Sequence, residues 1–205
     1  MTAAPTTVPP NATVEEATAV MRHGRFRHLP VVSDGVLVGV VSERDLHAGD
    51  HIVPDELHRG RPVRSTMVHD VITIGPDDPV EQAARLMLEN KVGCLPVMED
   101  GRLTGIITEA DIFRAFVQVL GVMEPGTRIQ IRSADLVSAL DQIAAVARRQ
   151  QVRVISVVSD PATVGRSAGL VVRFGTMMIA PLVAALRAAG LDVVEPEPGL
   201  TGTAP

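Results

Sequence analysis

Shifting the chain by 66 residues lays residues 1–46 on 67–112 without a gap, and 16 of those 46 positions are identical. The matches include Met1/Met67, Pro10/Pro76, Val14/Val80, Glu15/Glu81, Ala17/Ala83 and Met21/Met87. They continue through Leu29-Pro30-Val31 on Leu95-Pro96-Val97, Asp34-Gly35 on Asp100-Gly101, Gly39/Gly105 and Asp45/Asp111. Several mismatches are conservative, such as Val40/Ile106, Ser42/Thr108 and Leu46/Ile112. An offset held over this length is a duplication, and it ties the fold of one half to that of the other.

Each copy predicts the order βαββα. A short strand, 6–8 or 71–74, runs up to Pro10 or Pro76. A helix start follows, marked by Thr13 with Glu16 in one copy and by Asp78-Pro79 with Glu81 in the other. Val80, Ala83, Ala84, Met87 and Leu88 then recur at helical spacing. Strands 29–32 and 36–41 flank Asp34-Gly35, and strands 95–98 and 103–107 flank Asp100-Gly101. Asp-Gly between apolar runs predicts a hairpin, because glycine accepts positive φ. One such unit has an apolar sheet face and too little helix to cover it, so the copies are expected to cover each other. The expected boundaries are a first repeat at 1–49, a linker at 50–64 and a second repeat at 65–120.

Both copies then place a hydroxyl three residues before an acid, Ser42 with Asp45 and Thr108 with Asp111. On the first turn of a helix each pair shares a face, beside unpaired N–H groups. A hydroxyl with N–H groups suits phosphate, and an acceptor-only carboxylate suits a pair of ribose hydroxyls. The plainer reading is a capping box in which the hydroxyl caps and the acid complements the dipole. Recurrence of the pair at matching places in a duplicated unit favours the ligand reading.

The string Met…Thr-Val-x-Pro…Val-Glu-x-Ala…Met…Leu-Pro-Val-x-x-Asp-Gly-x-Leu-x-Gly-x-x-(Ser/Thr)-x-x-Asp resembles the CBS domain, and its tandem resembles a Bateman module. The resemblance covers 1–46 and 65–113. It implies an adenosyl ligand (AMP, ADP, ATP or S-adenosylmethionine) in clefts between the repeats. In one pocket it places Thr108 on phosphate and Asp111 on ribose, with Thr6, Phe26, Arg27, His28 and Ile106 against adenine. The other pocket holds Ser42 and Asp45, with Ile72, Val92, Gly93, Cys94 and Val40 around the base and Arg44 beside the phosphates. Ala110, the counterpart of Arg44, carries no charge, so the Asp45 pocket is expected to prefer the more phosphorylated ligand. In the family a few residues precede the Met of the first motif, as Val63, Arg64, Ser65 and Thr66 precede Met67. Either the first repeat lacks that lead-in, or the true start lies upstream of Met1.

Beyond Gly121, Glu124-Pro125-Gly126 punctuates the chain at 121–126. Strand 127–132, helix 135–150, strands 152–158 and 168–174, helix 177–189 and strand 191–194 follow. Leu136, Leu140, Ile143 and Ala147 give the first of these helices its apolar face. The order βαββαβ is the split βαβ, ferredoxin-like plan. After a CBS tandem it resembles an ACT-like domain, as in acetoin-utilisation B-type proteins, over 127–195. ACT domains that take amino acids carry Asp-x-Pro-Gly at the first turn, where this chain has Arg132-Ser133-Ala134-Asp135, so a structural or dimer-forming role is as well supported. The Pro- and Gly-rich end, 196–205, is expected to be disordered.

Other classes find less support. A net charge of −5 with no basic run, and no Trp or Tyr beside four Phe, argue against nucleic-acid binding. No apolar run reaches membrane-spanning length. Cys94 is the lone cysteine, which excludes an intrachain disulfide and fits a reducing cytoplasm. As a buried or ligand-lining small hydrophobe it needs no redox role. His47 and His51 are four apart, but Gly49 between them argues against a shared helix face for a metal. No nucleophile with a base and no Gly-rich phosphate loop marks an enzyme. The expectation is a cytoplasmic, homodimeric, non-enzymatic sensor controlling a partner enzyme or its own assembly. A dimerisation or docking scaffold with empty pockets is the alternative, with an enzyme after it.

Overall fold

The computed structural model describes residues 1–47, 60–160 and 168–194. Most of the expected linker, His51 and the expected disordered end lie outside the described residues. The chain divides into two compact units, 1–113 and 114–205. The boundary of these units falls inside the last helix of the second repeat.

In the first unit the two copies build the same pieces. The first has α1 (Val14–Gly24), β2 (His28–Ser33), β3 (Val36–Ser42) and α2 (Glu43–His47); the second has α3 (Val80–Asn90), β4 (Cys94–Glu99), β5 (Arg102–Thr108) and α4 (Glu109–Val119). Both hairpins turn on Asp-Gly with all four residues at positive φ, 51° and 79° in the first and 48° and 77° in the second. That geometry is the type I′ turn, whose twist matches the flanking strands. Both hairpins also slip register at the same place, Val31/Val32 and Val97/Met98. Helix starts differ. Thr13 caps α1 in a reciprocal box with Glu16, whereas Pro79 heads α3 with no side-chain cap. Asp78 turns back instead, accepting from the Gly75 N–H at 2.7 Å. Leu88 of α3, placed on the apolar face by its spacing, is 79% exposed.

The predicted strands at 6–8 and 71–74 shrink to single parallel bridges, Val8 with Val31 and Ile74 with Val97. Pro9 and Pro10 after Val8 bring no N–H to extend such a ladder. Pairing moves upstream and across the copies. The strand β1 (Thr2–Ala3) lies antiparallel on β5, with Thr2 opposite Ile106, and Val68 bridges to Val40 of β3. The lead-in of each repeat is thus laid on the hairpin of the other. A Cβ on Gly39 would meet Met67 Sδ at 2.6 Å, and one on Gly105 would meet Met1 Sδ at 3.0 Å. This close approach accounts for the glycine common to both copies.

Residues 61–64, assigned above to the linker, include one that packs on the core of the first repeat. Val63 is fully buried at the start of a short 3-10 turn (Val63–Ser65), donates to Ala12 O at 2.8 Å and joins the cluster of Val8, Met21, Leu29 and Val41.

The second unit holds β6 (Thr127–Arg132), α5 (Leu136–Arg149), β7 (Val154–Asp160), β8 (Gly169–Phe174), α6 (Ile179–Ala188) and β9 (Asp192–Val193). Its sheet runs β7-β8-β6-β9, antiparallel throughout, the split βαβ plan. Ile129, Ile131, Leu170, Val172 and Phe174 alternate onto one face and pack on Ala139, Ile143, Leu182 and Leu186 of the helices. Leu140, expected on that face, is 40% exposed. Asp135 caps α5, accepting from Ser138 N at 3.1 Å and Ser138 Oγ at 2.6 Å.

Candidate functional site

The hydroxyl-plus-acid pairs stand at the ends of β3 and β5, where each hairpin passes into its second helix. In both, one carboxylate oxygen takes two bonds from the residue three before it. Asp45 Oδ2 accepts from Ser42 N at 2.8 Å and Ser42 Oγ at 2.7 Å, and Asp111 Oδ2 accepts from Thr108 N at 3.0 Å and Thr108 Oγ1 at 2.9 Å. The hydroxyl oxygen accepts in return from the acid's own N–H, at 3.3 Å in each case. The capping box of the plainer reading is therefore built. At Asp45 these bonds use Oδ2 alone. All four side chains are partly buried.

A cavity of about 540 Å³ opens beside Ser42 and Asp45. It is lined by every residue expected around that pair: Val40, Arg44, Ile72, Val92, Gly93 and Cys94. Arg27 and His28, expected beside Thr108 and Asp111, line this same cavity, with Glu109. Thr6, Phe26, Ile106, Thr108 and Asp111 are not among its walls. Ile106 is 7% exposed, Thr6 is exposed on the surface, and Phe26 packs partly buried against the first repeat's core.

Seven lining residues were not anticipated: Glu43, His47, Val68, Asp70, Val71, Lys91 and Glu109. Lys91 was within reach of the sequence, since it directly precedes the 92–94 loop. Asp70 and Val71 likewise precede Ile72. Val68 enters only because the lead-in of the second repeat crosses β3. Lys91 ends α3 in the left-handed region, φ 55° and ψ 40°, and Arg25 ends α1 the same way, φ 54° and ψ 39°. The two turns deliver 92–94 and 26–28 from matching backbones.

The cavity carries charge of both signs. Arg27, Arg44 and Lys91 face Glu43, Asp45, Asp70 and Glu109 across it. None of the three cations makes a hydrogen bond or ion pair among the described residues. Burial disfavours charge on the two titratable groups at its back. Desolvation holds His28 below its ordinary 6.5 against the pull of Glu109 and Asp45. The same effect, with repulsion from Asp45 and Glu109, pushes the Cys94 thiol up to about 12. A protonated, inert thiol there acts as a small apolar wall.

A partly apolar cavity next to a hydroxyl-carboxylate pair and cations that make no ion pair among the described residues can take a heteroaromatic base, a sugar diol and an anion. Comparisons with known proteins agree in kind. A model of the CBS domain family matches residues 1–48 and 63–118. An inosine-5'-monophosphate dehydrogenase of Korarchaeum cryptofilum is 35% identical over 52% of this chain and 21% of its own length. The CBS domain-containing protein YhcV of Bacillus subtilis is 31% identical over 55% of this chain and 79% of its own. This chain spans only about a fifth to two fifths of the first curated relatives it matches. Among solved structures, a Vibrio cholerae protein assigned to acetoin utilization (AcuB) is 32% identical over 60% of this chain and 90% of its own, TM-score 0.53. CBSX2 in complex with AMP is 35% identical over 58% and 93%, TM-score 0.51. The CBS domain pair of MJ0100, in complex with 5'-methylthioadenosine and S-adenosyl-L-methionine, is 30% identical over 55% and 91%, TM-score 0.50. No helix among the described residues is long and apolar enough to cross a membrane.

Proposed function

We propose, from the premise that this chain belongs to the CBS domain family, that it is a regulatory sensor of an adenosyl ligand. The observation that carries the reading is the cavity in which Ser42 and Asp45 meet Ile72, Val92, Gly93 and Cys94. The base lies between these apolar and small residues. Asp45 accepts the ribose hydroxyls through Oδ1, the oxygen its bonds to Ser42 leave out. Phosphate or another anion meets Arg44, with Arg27 and Lys91 in reach of the same space. AMP in CBSX2 and S-adenosyl-L-methionine in MJ0100 support this ligand class. Arg44 supports preference for the more phosphorylated member.

Binding acts by coupling. The ligand favours one state of the repeat pair, and the second unit or a second copy of the chain reads that state. The ligand leaves unaltered, since binding groups suffice for this role. The second unit serves as an ACT-like module without an amino-acid site. Its first turn is closed on itself: Ser133 Oγ donates to Asp135 O at 2.7 Å and accepts from Asp135 N at 3.1 Å, while the Asp135 carboxylate is spent on Ser138. The protein acts in the cytoplasm as a homodimer, on a partner enzyme or on its own assembly; the single thiol supports the reducing compartment.

Adenosine, AMP, ATP and S-adenosylmethionine, each titrated while unfolding is followed, test the reading. A ligand at 100 times its Kd stabilises the fold by about 2.7 kcal/mol, which raises Tm by roughly 5–10 °C for a chain of this size. No shift with any of the four at millimolar concentration overturns it. The competing docking scaffold draws on the capping boxes, which satisfy Ser42 and Asp45 without a ligand, and it predicts that null result.

A further inference from the structure

The two copies present different loops on matching backbones. Val92-Gly93-Cys94 in one corresponds by the 66-residue offset to Phe26-Arg27-His28 in the other. Both follow a left-handed helix end with nearly the same φ and ψ, so the loops leave in the same way and differ in side-chain bulk. We infer that the repeat pair takes one adenosyl ligand, at Ser42 and Asp45, and that Gly93 keeps that place open. The inference rests on the ligand reading above and says how many places exist and what decides it.

On the open side, residues 92–94 all line the cavity, and Gly93 contributes no side chain to it. The space above Gly93 is already bounded: a Cβ there would lie 3.0 Å from His28 Nε2 and 3.1 Å from His28 Cε1. One carbon is tight, and a long side chain would have to run into the slot where a flat base would lie. Val40, the half-exposed residue on β3 at the base position, lines the cavity.

On the other side four corresponding positions, those of Phe26, Arg27, His28 and Ile106, are filled or covered, while Thr6, the counterpart of Ile72, stays exposed. Arg27 stands where Gly93 would, and it lines the Ser42 cavity. His28 does the same. Phe26 folds back over its own helix end, so close that a Cβ on Gly24 would lie 2.0 Å from its ring, and packs on the first core. Ile106, the counterpart of Val40, is buried at 7% exposure. Thr108 and Asp111 keep the same three hydrogen bonds as Ser42 and Asp45. They serve there as a helix cap. Arg27 meanwhile adds a cation to the cleft that remains.

Calorimetric titration of the full chain with AMP, and separately with S-adenosylmethionine, reads the stoichiometry. One equivalent per chain is expected for the probe that binds. Asp45→Ala and Gly93→Arg are each expected to weaken binding at least tenfold, with melting in the absence of ligand checked for both. The two positions are independent, so a folding failure in one leaves the other to decide. Two equivalents per chain, or one equivalent that survives the folded variant, overturns the single-site inference and leaves the ligand reading standing. No binding of either probe, nor of adenosine or ATP, overturns both.

Discussion

The two repeats share a sequence plan but differ in what covers them. The first buries Val8, Ala12, Val14, Val41 and Leu46 together with Val63 and Met67, which come from beyond it. The second buries a smaller set, Ile74, Ala83, Met87, Leu95, Val97 and Ile112, and its counterparts of Val14 and Val41, namely Val80 and Ile107, are only partly buried. Met67 is 8% exposed and Met1, its counterpart, 59%. Residues 61–67 close one end of the first core. Duplication of sequence therefore copies local geometry but not packing, since the cover comes from elsewhere in the chain.

The widest contrast to test is between Cys94 and His28, which occupy matching positions. With the thiol pushed from its ordinary 9.0 to about 12, alkylation of Cys94 near pH 8 is expected to run about a thousandfold slower in the native protein than in urea. Native rates equal to the unfolded ones would break the contrast. Raised in the fold, this group leaves stability intact below pH 9 and erodes it as pH climbs toward 12.

Core deletions come next. Leu29 and Leu95 are both fully buried, so Leu29→Ala and Leu95→Ala each cost about 2–5 kcal/mol in denaturant melts. The first lies at the upper end, because the fuller core around it has less freedom to collapse. Val63→Ala is expected to cost about 2 kcal/mol; a neutral result would return residues 61–64 to the linker. Thr13→Ala removes the cap of α1 for about 1 kcal/mol, whereas Pro79→Ala has no side-chain cap to lose.

The smallest effect is the pH response of His28. It faces Glu109 on α4, Asp45 and Arg44 on α2 and its neighbour Arg27, and burial holds it below 6.5. A depressed histidine gives stability present above pH 6.5 and lost as pH falls through the folded value. The melting temperature should fall by a degree or two more between pH 7.5 and 5.5 in the native sequence than in His28→Gln.

Much of the fold was legible because it is local. The Asp-Gly turns, the Thr13/Glu16 box, the Ser42/Asp45 and Thr108/Asp111 pairs and the order of the last six elements each depend on residues a few positions apart. So did four of the eight residues expected in the cavity, Val40 with Ser42, Arg44 and Asp45. Strand 6–8 was misplaced because its neighbours offer no N–H, while the strand that forms, at Thr2–Ala3, has its partner about a hundred residues away on β5. Nothing local marks that pairing. Residues 61–64 read as linker because a single buried valine has no period.

The amino-acid sequence by itself determined that there are two equivalent units, how each hairpin turns, and which hydroxyl and acid stand together. Only the tertiary structure decided that Arg27 and His28 line the cavity of the other pair, that Ile106 is covered while Val40 is not, and that one core is fuller. Turns and caps are set by backbone sterics and hydrogen bonds over three or four residues. Space beside a side chain is set by whichever distant segment arrives there.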